Sequence, residues 1–170
     1  MVVQNCAVTL SDAEVLKEYI DDGYREKTTV KELHTGVDLK GHYAYSMSIG
    51  KVIFIGKSES GTKNVIVKYN TNNCFNYANL TSLAVDYYDE VEVGTQIGQC
   101  KGYIHFEHLS IQQTRWPVRI GLDVWYKKDP MYVLENGFLS VDMYPVEAEV
   151  TDDFPEFMTQ DDEFTGSRGD

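Results

Sequence analysis

The chain has 170 residues, enough for one domain with a substantial core, and its hydrophobic content of 42% is typical of a folded protein. Its formal net charge of −12 argues against unaided binding to nucleic acid or docking on an anionic membrane, because both need clustered lysine and arginine. No apolar run reaches the ~18 residues of a membrane span, so no membrane insertion is expected. The first six residues lack the pattern of a secretory signal, which predicts synthesis in the cytoplasm.

The three cysteines, Cys6, Cys74 and Cys100, are odd in number and include no CxxC pair. Such a set is neither a disulfide framework nor a thiolate zinc site. We therefore expect reduced thiols without a role in the chemistry.

The first predicted element is a helix. Ser11-Asp12-Ala13-Glu14 has the pattern of a capping box, and Val15, Leu16, Tyr19 and Ile20 follow at helical spacing. We predict a short helix over residues 11–21, closed by Asp22-Gly23.

From about residue 30 the pattern changes to strands separated by turns at intervals of about ten residues, without helical periodicity between them. This spacing predicts a mainly β fold, a twisted antiparallel β-sheet. The predicted strands are 50–56, 65–69, a short one within 75–83, 91–98, 101–108 and 118–126, with a further pair at 131–134 and 138–141.

The last segment, residues 147–170, holds nine Asp or Glu residues against Arg168 alone. Such a composition does not bury enough apolar surface to offset its ordering entropy, which predicts disorder. The alternative is an acidic peptide that orders on a partner, anchored by Phe154, Phe157, Met158 and Phe164.

The candidate chemistry lies in two stretches. His34 and Asp38 are four positions apart, and His105 lies in a strand whose alternation places it on the face opposite Ile104 and Phe106. Two histidines and one carboxylate suit zinc with an open coordination position. Gly36 is expected to let the chain turn tightly between the first two ligands.

Six motifs in series then resemble the M23 family of zinc endopeptidases, the lysostaphin or LytM type that cuts peptide cross-links in bacterial cell walls. The resemblance covers about residues 23–134. The motifs are Gly23-Tyr24-Arg25, His34-Thr35-Gly36-Val37-Asp38, Gly50-Lys51-Val52, Tyr77-Ala78-Asn79-Leu80, residues 91–98, and Tyr103-Ile104-His105-Phe106-Glu107, with Asp129-Pro130 and Tyr132-Val133-Leu134 resembling the C-terminal end.

The resemblance implies a lysostaphin-like β domain over residues 23–134. It follows an N-terminal helical segment (1–22) and precedes a strand extension (135–146) and the acidic tail (147–170). It implies zinc as cofactor, held by His34, Asp38 and His105. Glu107 is expected to support the site, and His108, nearer the opposite strand face, is expected not to replace a base. No substrate-binding residue is indicated.

The departures from the family lie at Asn79 and Tyr103, where the family has the histidines that move the proton and stabilise the oxyanion. Two functions remain open. One is a degenerate, non-catalytic domain that binds peptidoglycan or a protein subunit. The other is an active peptidoglycan endopeptidase with an altered acid–base set. The absence of an export signal adds the expectation of a phage tail or baseplate protein incorporated into a virion or injection particle.

Overall fold

The computed structural model describes residues 2–3, 13–20 and 34–136, and the predicted antiparallel sheet is confirmed there. The elements are β1 (Val2–Val3), β2 (Ala13–Lys17), β3 (Val37–Lys40), β4 (Tyr43–Tyr45), β5 (Gly50–Lys57), β6 (Lys63–Asn70), β7 (Asn73–Leu83), β8 (Glu90–Val91), β9 (Gln96–Ser110), β10 (Pro117–Ile120), β11 (Asp123–Lys128) and α1 (Met131–Asn136).

Strand β9 is the centre of the sheet. Its 15 residues pair with β3 on one side and with β7 on the other, and β7 leads on to β6, β5 and β8. Strands β4 and β11 pair with opposite ends of β9. Every pairing in the described part of the chain is antiparallel. The long strand β9 therefore pairs with strands that precede it in the sequence, β3, β4 and β7, and with one that follows it, β11.

The two faces of β9 have different surroundings. Ile104 and Phe106 enter the main hydrophobic core, with the stacked rings of Phe75 and Phe106 5.8 Å apart. The opposite face carries a smaller cluster that the β10–β11 hairpin covers; its members are Phe54, Ile66, Cys74, Leu109, Val118, Ile120 and Trp125. Tyr103, His105 and Glu107 alternate with the core residues, as the strand period requires.

The predicted helix over residues 11–21 is wrong where the structure describes it, because Ala13–Lys17 form strand β2. β2 pairs with β3 and supplies hydrogen-bond partners to an edge of the sheet, while Val15 packs on the main core and Leu16 stays exposed. Pairing with a distant strand outweighs the local helical signal. Residues 11, 12 and 21 lie outside the described residues.

The predicted strand at 131–134 is also wrong, because these residues begin helix α1. The Asp129 side chain accepts a hydrogen bond from the Met131 N–H, and Pro130 precedes the helix with its φ already suited to it. Val133 and Leu134 are fully buried in the main core. The partner strand predicted at 138–141 lies outside the described residues.

The predicted strand at 118–126 is two strands, β10 and β11, joined at Gly121-Leu122, where Gly121 adopts a φ of 65°. No helix among the described residues is long and apolar enough to cross a bilayer. Cys74 and Cys100 are free, buried thiols, as expected, and burial raises the pKa of Cys100 to about 11. The segment boundaries at 22, 134 and 146 stay predictions, and the acidic tail lies outside the described residues.

Candidate metal centre

The sheet brings the three predicted metal ligands together. Asp38 on β3 lies opposite His105 on β9 in the strand register. His34 precedes β3 and is held by two backbone hydrogen bonds to Ile20, of 2.7 and 2.9 Å. One nitrogen or oxygen atom from each of the three side chains lies within 4.8 Å of the other two. Their role as metal ligands stays a prediction; their convergence is a structural fact.

Asp38 is at the centre of the group. Its Oδ1 atom lies 3.0 Å from Nδ1 of His105 and 3.2 Å from Nε2 of His34, and the two imidazole rings meet edge to face at 5.0 Å. Neighbouring ligands on a tetrahedral zinc, with bonds of about 2 Å, lie about 3.3 Å apart. The spacing around Asp38 is thus close to that of a metal coordination shell.

The outer nitrogen of each imidazole is already committed to a protein acceptor. Nδ1 of His34 donates to the backbone carbonyl of Glu18 at 2.8 Å, and Nε2 of His105 donates to Oε2 of Glu107 at 2.8 Å. Carbonyl and carboxylate oxygens only accept, so both protons must lie on the outer nitrogens. In the neutral imidazoles, the inner nitrogens therefore direct lone pairs at the Asp38 carboxylate.

Three lone-pair atoms facing one another need a cation between them. A proton or a metal ion meets that need, and a His–His–Asp donor set with fixed tautomers is a set that zinc prefers. The residues present therefore fit the zinc ion that the family resemblance implies.

Charges around His105 explain its protonation in the metal-free protein. Burial alone would lower the pKa of His105, but its hydrogen bonds and charge interactions with Asp38 and Glu107 raise it to about 9. Burial acts to raise the pKa of Asp38, yet the two histidines hold it below its ordinary value. A metal ion must therefore displace a proton from His105, which makes binding depend on pH.

Several contacts hold the buried carboxylate of Glu107 in place. Its side chain is only 6% exposed; Oε1 accepts from the Asn76 amide at 2.9 Å, and Oε2 lies 3.2 Å from Nζ of Lys127. Burial would raise its pKa, but Lys127, together with His105 and Asn76, lowers it to about 2. The carboxylate is thus ionised and able to accept the Nε2–H of His105, in keeping with the supporting role expected from the sequence.

Gly36 acts through close approach. A Cβ atom placed there would lie 2.6 Å from the Phe106 carbonyl oxygen and 2.8 Å from both Nε2 of His105 and Cγ of Glu107. The sequence interpretation assigned this glycine to a tight turn between ligands. The structure adds the reason that no side chain fits between the His34–Asp38 segment and β9.

The two departures from the family pattern contact each other. The side-chain amide of Asn79 donates to the backbone carbonyl of Tyr103 at 2.9 Å. Asn79 has a φ of 70°, a left-handed conformation that asparagine tolerates better than most residues. It lies where the pairing between β7 and β9 shifts register, and Tyr103 itself is 37% exposed.

His108 lies on the core face of β9, away from the metal triad formed by His34, Asp38 and His105. Its ring packs against Phe75 at 5.2 Å, and its Nε2 donates to Oδ1 of Asn73. Burial, aided by the charge of Lys128, lowers its pKa to about 3. The residue is therefore neutral, as its position on the opposite face predicts.

Sequence reasoning missed three contributors to the site: the Glu18 carbonyl, Asn76 and Lys127. Glu18 lies in a segment interpreted as helical, and Lys127 lies 20 or more positions from any ligand. No local pattern marks such contacts, although the apolar–polar alternation of β7 does place Asn76 beside Glu107 once the strands are paired.

The fold and the convergence of His34, Asp38 and His105 together define a β domain with a candidate metal site. The sequence profile of peptidase family M23 matches residues 32–117, just over half of the chain. The chain therefore belongs to peptidase family M23, of the lysostaphin or LytM type. A search among curated protein sequences found no match.

Solved structures share the fold at low sequence identity. Lysostaphin has a TM-score of 0.55 at 21% identity, over 72% of this chain and 50% of that one. A zinc-containing peptidase from Vibrio cholerae has a TM-score of 0.52 at 20% identity, over 65% of this chain and 37% of that one. SpoIIQ, in a pore-forming complex with SpoIIIAH, has a TM-score of 0.57 at 16% identity, over 79% and 91%. This chain spans about a third of the Vibrio cholerae protein and half of lysostaphin.

Proposed function

We propose that this chain is a catalytically degenerate M23 domain that keeps a zinc site of His34, Asp38 and His105 and serves as a binding or structural module. Its ligand would be peptidoglycan or a neighbouring protein subunit. The observation that carries the proposal is the pair Asn79 and Tyr103, which occupies the positions of the family's catalytic histidines and is joined by a hydrogen bond.

The intact part of the site supports metal binding. His34, Asp38 and His105 would hold the ion through their inner atoms, while Glu18 and Glu107 orient the two imidazoles from outside. Zinc held by three protein ligands supplies a Lewis acid for a peptide carbonyl and lowers the pKa of a water ligand to about 7.

The altered part of the site lacks the groups that complete hydrolysis. An amide has no basic nitrogen near neutral pH, so Asn79 does not act as a general base, and one of its two amide N–H groups donates to the Tyr103 carbonyl. A tyrosine hydroxyl, with an ordinary pKa near 10, is a poor base as well. Losing the base and an oxyanion donor removes about 10²–10⁴-fold and 10²–10³-fold in rate respectively. A ligand would then be held without being cleaved.

The test is to restore the two missing histidines. Wild type, Asn79→His/Tyr103→His and His105→Ala are loaded with zinc and assayed for release of new amino groups from purified peptidoglycan. We expect cleavage by the double variant alone. If neither wild type nor the double variant cleaves peptidoglycan, although each binds zinc, then the loss of the imidazoles is not what makes the domain inactive.

The second candidate is an active endopeptidase with an altered acid–base set, favoured by the complete metal triad. It predicts cleavage by wild type that His105→Ala abolishes. Binding separates the two further: a binding module should sediment with intact sacculi and leave them intact, whereas an enzyme should solubilise them.

We also propose that the domain works as a subunit of a larger assembly. The likeness to SpoIIQ, which is found in a complex with SpoIIIAH, supports the idea that this fold serves protein assembly. Incorporation into a phage tail, baseplate or other injection particle is the setting that the sequence analysis predicts. Immunodetection of the protein in purified particles from a producing culture would test it, and its absence from them would contradict it.

A further inference from the structure

Lys127 contacts both segments that carry the metal triad. Its Nζ atom lies 3.2 Å from Oε2 of Glu107 on β9 and donates to Oγ1 of Thr35, also at 3.2 Å, in the loop between His34 and Gly36. We propose that Lys127 is a positioning residue, which braces the His34–Asp38 segment against β9 and so sets the affinity of the site for zinc. The inference rests on the metal-binding part of the proposed function.

Two hydrogen bonds hold the backbone of Lys127, from which this brace extends. The Lys127 N–H donates to the Trp116 carbonyl at 2.9 Å, and the Lys127 carbonyl accepts from Oγ1 of Thr114 at 2.8 Å. In the register of β11 with β9, Lys127 lies opposite Leu109, two residues from Glu107. The β10–β11 hairpin therefore holds the backbone of Lys127 while its side chain reaches along β9 toward the metal ligands.

The other end of this brace is Glu107, and its carboxylate is also held by several contacts. Oε1 of Glu107 accepts from Asn76, whose Oδ1 in turn accepts from Asn64 at 2.9 Å. Oε2 is shared by Lys127, the Nε2–H of His105 and, at 3.5 Å, the hydroxyl of Thr35. A buried carboxylate surrounded by donors has one orientation, and that orientation fixes the ring of His105 and directs its Nδ1 at the metal position.

Lys127 also places a positive charge beside the Glu107 carboxylate. Glu107 is buried, and Lys127 is the cation whose Nζ lies 3.2 Å from its carboxylate oxygen Oε2. Without Lys127, the carboxylate would lack a balancing charge and would be free to turn away from His105 or toward the metal itself. Either movement disturbs the ligand that Glu107 orients.

The experiment measures the zinc dissociation constant by competition with a chromophoric chelator at constant pH and salt. The variants are Lys127→Met, Lys127→Arg, Glu107→Gln and the double variant Glu107→Gln/Lys127→Met. Lys128→Met is the matched control, because Lys128 follows on the same strand and its Nζ bonds to Gln112 instead. Near-UV circular dichroism of each metal-free protein establishes that the fold is retained.

We expect Lys127→Met to weaken zinc binding by about 10–100-fold, as loss of an orienting partner of a metal ligand does. Lys127→Arg should recover most of the loss, and Lys128→Met should match wild type. In the Glu107→Gln background, Lys127→Met should add little, because the brace acts mainly through Glu107. If Lys127→Met does not fold, Thr35→Val decides the case: it removes one contact of the brace and should weaken binding in the same direction.

Two results would overturn the inference alone: zinc binding by Lys127→Met as tight as that of wild type, or tighter. Tighter binding would mean that the ammonium merely repels the ion. A wild type that binds no zinc would overturn the proposed metal site and the inference together, so the two failures are distinguishable.

Discussion

The side-chain amide of Asn79 donates a 2.9 Å hydrogen bond to the backbone carbonyl of Tyr103, and so joins the two positions at which this chain departs from its family. The bond lies where β7 and β9 shift register, beside the metal triad but not part of it. Asn79 is thus integrated into the sheet in a structural role.

Asn79→Ala should destabilise the protein by about 1–3 kcal/mol, because it loses the hydrogen bond and forces a Cβ-bearing residue without a local partner into the left-handed region. Asn79→Gly is the matched control. It loses the same bond without the backbone strain and should be about 1 kcal/mol more stable than the alanine variant. Urea unfolding of the three proteins measures both differences. Equal stability of the two variants would mean that the φ of 70° carries no strain.

Gly36→Ala should abolish zinc binding and destabilise the fold, because its methyl group would overlap the Phe106 carbonyl and the ring of His105. Gly61→Ala is the control: Gly61 has a φ of 98° and no atom within 4 Å of the added Cβ. It should show only backbone strain, of order 1 kcal/mol, and bind zinc like wild type. Chelator competition and thermal melting test both variants. A Gly36→Ala protein with wild-type zinc affinity would contradict the close packing described here.

His108 should make stability fall as the solution becomes acidic. Its pKa is lowered by burial to about 3, so between its ordinary value of 6.5 and that value the unfolded chain binds a proton that the native protein excludes. Its contribution to stability is complete above pH 6.5 and is lost as the pH falls, by about 1.5 kcal/mol between pH 6.5 and 5.

The measurement is the difference between the pH profiles of wild type and His108→Gln, since the glutamine keeps a donor for Asn73 and does not titrate. Taking the difference cancels the contribution of His105, whose raised pKa gives stability that is present below pH 6.5 and is lost as the pH rises toward 9. Parallel profiles would contradict a neutral, buried His108.

Wild type in micromolar free zinc should melt several degrees higher than wild type in chelator. The reason is that an ion that binds only the folded state stabilises it by mass action. His105→Ala should melt at the same temperature with and without chelator. Elemental analysis of the dialysed proteins gives the stoichiometry. No chelator effect and no bound metal in wild type would mean that the triad is retained without its ion.

Removal of residues 1–20 should weaken zinc binding, because β2 supplies both the edge pairing of β3 and the Glu18 carbonyl that fixes the tautomer of His34. Removal of residues 147–170 is the comparison. The sequence analysis predicts that this acidic tail is dispensable for folding and matters for assembly. Chelator competition and melting curves on both truncations test the contrast, and equal zinc affinity in the two would contradict a role for β2 at the site.

The sequence was sufficient for those features that depend on local spacing. Strand alternation placed His105 opposite Ile104 and Phe106, and the structure has the same arrangement. The pattern of His34, Gly36 and Asp38 identified the segment that meets β9. These inferences succeed because a strand's two faces and a loop's ligand spacing are properties of a few consecutive residues.

Only the tertiary structure decided which outer partners complete the site and which short segments became strands. The contact between Lys127 and Thr35 spans 92 positions of the chain, and the one between Glu107 and Thr35 spans 72. Residues 13–17 have a helical cap and helical spacing, yet the edge of β3 makes them a strand. Hydrogen bonds to a strand that is distant in sequence outweigh local propensity, and no short window of sequence contains that distant strand.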